Sequence, residues 1–148
     1  MDLFWPILFL HVFGATIWTG GHLALSLVVL PRALRARDAQ ILKDFEAGYE
    51  RIGMPALLVQ VASGLWLALR MAPDWRGWFA LGDPLNDAIA LKLALLGATA
   101  ALALNARLRV VPTLSSETLP LMAWHVRAVT LLSVLFVATG VFLRTGGF

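Results

Sequence analysis

Three histidines and one lysine, His11, His22, His125 and Lys92, interrupt stretches of sequence that otherwise hold almost no ionisable groups. Ionisable side chains inside a bilayer are expensive and tend to mark function. A neutral histidine can instead do no more than hydrogen-bond a neighbouring helix. His11, Trp18 and His22 are seven and then four residues apart, which at 3.6 residues per turn puts them on one stripe of a helix. Ala15 shares that stripe and Gly14 and Gly21 flank it. Small residues there make room either for a flat group or for a second helix at close range.

Depth relates the histidines to one another. His22 lies ~12 Å before the end of its apolar run and His125 ~9 Å after the start of the last one, counting 1.5 Å per residue. Two histidines at one depth on different helices can ligate a haem iron from opposite faces or share a metal ion. Met122, three residues before His125, and Met54 are candidate soft ligands for haem iron or Cu(I), or filler for the core. His11 and Lys92 form a second pair near the other surface, ~10 Å and ~6 Å inside their runs. Lys92 could neutralise a haem propionate, a quinone oxygen or a carboxylate, or could snorkel to the interface. Arg127 has the same two roles open to it beside His125, and Gln60 is an uncommitted polar group in the second run.

The elements that must carry these residues are membrane helices. Hydrophobic residues make up 59% of the 148 and charged ones 14%, against about 25% charged in a soluble domain, too few to coat a water-facing surface. The apolar residues gather into four runs, about 3–30, 52–69, 88–106 and 119–143, each near the ~20 residues a crossing requires. This predicts an all-α, integral membrane four-helix up-down bundle forming a single transmembrane domain. With Asp2 near the start and no basic n-region, the first run reads as a retained span and not as a cleaved signal. It is expected to stop at Pro31-Arg32. The charged segment 32–51, with Ala39, Ile41, Leu42 and Phe45 at near-helical spacing, predicts a short surface helix or an extension of the first span. Trp75, Trp78 and Phe79, in a Pro- and Gly-broken loop, are expected to rest on the interface. Ser115 or Ser116 could cap the last helix.

Lys and Arg number seven in the loops after the first and third spans and three on the other side. By the positive-inside rule both termini face away from the cytoplasm, in a bacterial-type inner membrane. Cysteine is absent, which removes disulfides, thiolate metal sites and cysteine nucleophiles. No nucleotide loop, internal repeat or nucleic-acid partner is indicated.

The run from His11 through Trp18 to Gly20-Gly21, ending in Leu30-Pro31-Arg32, resembles the first helix of the copper-resistance D (CopD) membrane domain. Leu91 to Leu96 around Lys92, with Asn105-Ala106-Arg107, resembles that family's lysine-bearing helix. The His-to-Trp spacing, Met54-Pro55-Ala56 and the Lys92 helix are also similar to HemJ-type protoporphyrinogen oxidases, which implies haem b on the first-helix histidine and importance for the lysine. His22 and His125 depart from both patterns, and the distance from Gly21 to Pro31 fits CopD better. The leading expectation is a membrane haem b protein with a redox role, a haem-dependent oxidoreductase in its fullest form, with His22 and His125 as axial pair and His11, Lys92, Arg127 and Trp18 around the cofactor. It would have a quinone or redox protein as partner. The alternative is copper transport or uptake using His11, His22, His125, Met54 and Met122. A structural membrane subunit and a homo-oligomer remain open as well.

Overall fold

The computed structural model describes residues 2–80 and 82–145. Four apolar helices cross the bundle: α1 Phe4–Ala36, α2 Gln40–Met71, α3 Pro84–Thr113 and α4 Leu119–Thr145. They contain 33, 32, 30 and 27 residues. At 1.5 Å per residue that is about 40–50 Å each, longer than the ~30 Å hydrocarbon layer, so their ends stand in the headgroup regions or beyond. The described residues form no strand, and the chain is an all-α multi-pass membrane protein.

The helices overrun the expected spans because the charged segments are helical. Pro31 does not end α1. The helix widens into a π turn at Leu25–Val29 and resumes over Leu30–Ala36. Proline has no N–H to donate and its ring crowds the carbonyl four residues back, and a wider turn accommodates both. The same device recurs in α3, where a π turn at Ala106–Val110 precedes Pro112. The break comes at Arg37, whose φ of 53° is left-handed. Asp38 then accepts from the backbone N–H of Gln40 at 2.8 Å. From there α2 runs unbroken through the charges and through Pro55 to Met71. The charged segment is therefore divided: its first residues extend α1, and most of the remainder is the first three turns of α2. It is not a separate surface helix.

α1 packs along α2 and also against α4, and α4 packs along α3. α2 and α3 scarcely touch along their lengths. An ion pair, Arg107 to Glu50 at 3.0 Å, joins them at the end that carries the α1–α2 and α3–α4 connections. That basic end holds the tight core. Leu25, Leu30, Ala33, Leu42, Val110 and Leu119 are buried there, with Met122 and Val126. Burying apolar surface is not itself a driving force within lipid, so close packing and polar contacts hold the remainder.

The α2–α3 connection contains a 3₁₀ turn, Trp75–Phe79, capped by Asp74. Trp75 and Phe79 are exposed, as an interfacial anchor requires. Trp78 is not: it folds inward and donates from Nε1 to the Ala72 carbonyl at 2.8 Å. α3 begins at Pro84, with Asp83 accepting from the N–H of Asn86. Before α4, Ser115 Oγ accepts from the N–H of Glu117 at 3.3 Å.

Candidate functional site

The stripe of α1 that bears His11, Trp18 and His22 faces α2, because α2 supplies seats for it. Gly64 lies under the His11 ring so closely that a Cβ there would come to 2.8 Å from Cε1. Gly14 lets the α2 backbone approach until its own Cβ would stand 2.9 Å from the Ala56 carbonyl. The glycines beside the histidines thus serve helix contact at Gly14 and, at Gly21, the ring of Tyr49.

His11 Nδ1 lies 2.9 Å from the carbonyl of Gln60 and 3.2 Å from Ser63 Oγ. A carbonyl only accepts, so Nδ1 carries the hydrogen, and in the neutral ring Nε2 holds the lone pair. His22 has the same tautomer: Nδ1 donates to the Trp18 carbonyl at 2.9 Å. Its ring leans on Trp18, centroids 4.3 Å apart, and meets Tyr49 edge-on at 5.8 Å. Tyr49 donates its hydroxyl to the carbonyls of Ile17 and Trp18, each at 3.1 Å. The Trp18 oxygen therefore accepts from both His22 and Tyr49. Nothing among the described residues hydrogen-bonds Nε2 of His11 or of His22.

His125 is arranged differently. Nδ1 donates to the Leu121 carbonyl at 3.0 Å, and Nε2 is 3.0 Å from the side-chain amide of Asn105. With Nδ1 protonated, the amide must turn its NH₂ toward Nε2. His125 is buried, and both nitrogens are occupied. Thr130 Oγ1 donates to the His22 carbonyl at 3.1 Å, so α4 does pass His22 five residues beyond His125. The rings nevertheless face different helices, His22 toward Tyr49 on α2 and His125 toward Asn105 on α3. Thr130 is the α4 residue level with the His22 carbonyl, and His125 lies a further five residues, about 7.5 Å, toward the basic end.

Lys92 turns toward the bundle, and a Cβ on Gly140 of α4 would be 3.5 Å from its Nζ. Arg127 is exposed, Met54 is 45% exposed on the outside of α2, and Met122 is core filler. Among the described residues no three His, Asp or Glu side chains converge as a metal centre. Tyr49 and Ser63 escaped the sequence reading. The i, i+4 spacing of Tyr49 and Gly53 is their only signal, and it speaks only once α2 is known to begin at Gln40.

A membrane four-helix bundle with histidines on its first helix and a lysine on its third is the class this structure defines. The profile of the family described as Copper resistance protein D (CopD) matches residues 43–143, and the chain belongs to that family. The matched stretch holds Tyr49, Gln60, Lys92, Asn105 and His125, whereas His11, Trp18 and His22 precede it. The family description names copper and not haem. It makes this a copper-resistance type of membrane protein and gives no support to haem b or to an oxidoreductase. No curated protein and no solved structure matches the chain.

Proposed function

We propose that the protein passes copper through the membrane, with His11 and His22 as successive ligands on α1. One observation carries this reading: both imidazoles have Nδ1–H fixed on a backbone carbonyl, by Gln60 for His11 and by Trp18 for His22. Such a hydrogen bond, from one ring nitrogen to a carbonyl, orients a histidine and leaves Nε2 basic for a metal. Imidazole suits copper, and the family's description supports copper as cargo. One imidazole at each level is a weak ligand set, which suits an ion that must leave again. His125 is not part of the path, because Asn105 occupies its Nε2.

The test is copper uptake into vesicles that contain the purified protein and an entrapped copper-sensitive dye. The parent should fill the vesicles, and His11→Ala and His22→Ala should each lose most of that uptake while His125→Ala keeps it. Uptake no faster than in protein-free vesicles refutes the proposal. A red preparation whose haem absorption band disappears in His11→Ala or His22→Ala would put a haem b redox role in its place.

A further inference from the structure

Gln60 projects from the middle of α2 and is 9% exposed. Its side-chain oxygen Oε1 is buried and has no hydrogen-bond partner. A buried amide oxygen left without a partner is costly, and such atoms commonly mark a bound water or ion. The Gln60 backbone carbonyl already serves His11, and its Cβ lies 3.2 Å from where a Cβ on Gly14 would stand. Helical side chains lean toward their helix N-terminus. α2 starts at the basic end, so the amide leans from the level of His11 toward that of His22. The two histidines are about 16 Å apart along α1, too far for an ion to be held by both. The orphaned oxygen falls between them.

We infer that Oε1 of Gln60 is a ligand of the passing ion between His11 and His22, and that the ion it takes is Cu(II). The inference rests on the proposed copper path and deepens it. A donor set of imidazole nitrogen and amide oxygen suits Cu(II), whereas Cu(I) selects thiolate and thioether. The chain has no cysteine, and Met54 and Met122 both lie off the α1–α2 stripe, one turned outward and one in the core.

The chain contains two glutamines, Gln40 and Gln60, so a single label can report on the site. Gln40 is exposed and donates from its side-chain nitrogen to Asp44, which makes it an internal control. Protein carrying glutamine labelled with ¹³C at the side-chain carbonyl is loaded with Cu(II) and read by electron–nuclear double resonance. A ¹³C hyperfine coupling is expected that survives Gln40→Ala and vanishes in Gln60→Leu. Gln60→Leu should melt no lower than the parent, since the apolar side chain removes an unsatisfied group, and should transport copper about tenfold more slowly. Absence of the coupling, or its persistence in Gln60→Leu, overturns the inference. Parental uptake by a stable Gln60→Leu variant overturns it too, and assigns the oxygen to a structural water. Coupling in a protein that moves no copper retains the ligand and refutes only the transport reading. Uptake without coupling does the reverse.

Discussion

Replacing Gly21 by Ala tests how tightly α1 and α2 are joined beside His22. A Cβ on Gly21 would overlap Cε2 and Cζ of Tyr49 outright and stand 2.5 Å from its hydroxyl oxygen. The ring cannot retreat along α2, where Gly53 already admits it so closely that a Cβ there would be 2.8 Å away. Nor can it swing aside without releasing the carbonyls of Ile17 and Trp18. Overpacking of this kind costs about 1–3 kcal/mol, and interhelical hydrogen bonds in membranes average ~0.6 kcal/mol each. Gly21→Ala should therefore destabilise the bundle by about 2–4 kcal/mol. The assay is denaturant unfolding in detergent, followed by far-ultraviolet circular dichroism. Gly20→Ala is the control, because a Cβ there meets nothing within 4 Å. Gly21→Ala combined with Tyr49→Ala should cost much less than the sum of the two, since removing the ring makes space for the methyl. Additive losses, or a Gly21→Ala variant as stable as Gly20→Ala, would refute the reasoning.

Three further outcomes are expected. Reporter fusions at residue 40 and at the C-terminus should report opposite sides of the membrane, with the C-terminus outside the cytoplasm, from the seven-to-three bias of Lys and Arg; a cytoplasmic C-terminus contradicts it. Lys92→Met should slow copper uptake without lowering the melting point, because Nζ faces Gly140 of α4 and not lipid; unchanged uptake would return Lys92 to a merely structural role. Asn105→Ala should cost about 1–3 kcal/mol by stranding Nε2 of the buried His125, and stability equal to the parent's would show that this amide does not hold the ring.

The four crossings were legible because apolar runs of the required length have few alternative readings. Their ends were not. In residues 32–51 the charges lower the mean hydropathy without breaking the helix, and the break falls at the left-handed Arg37, which no Gly or Pro announces. Trp78 looked like an interfacial anchor because residue type reports amphipathic character and not direction; the 3₁₀ turn is what points its indole at Ala72. The His11–Trp18–His22 stripe follows from spacing alone. What fixes the rings does not: His11 bonds a carbonyl of another helix, and backbone acceptors are the same at every position. The depth argument set His125 beside His22, whereas the α4 residue that reaches the His22 carbonyl is Thr130, five positions on. It had no access to rotation about the helix axes, which turns one ring to α2 and the other to α3.

The π turn at Leu25–Val29 divides α1 into two registers. Such a turn holds one residue more than the ordinary helix, so everything beyond it is rotated by about 100° relative to a straight continuation. That offset lets the same helix present His11 and His22 to α2 and then bury Leu30 and Ala33 completely in the basic-end core. Leu27 and Val28 within the turn are largely exposed, so deleting either removes little packing in itself. It would, however, straighten the helix and swing the core-facing residues out of place. The register of α1 is thus tuned to a single-residue insertion, and shortening that helix by one residue should damage the protein more than most substitutions in the same turn.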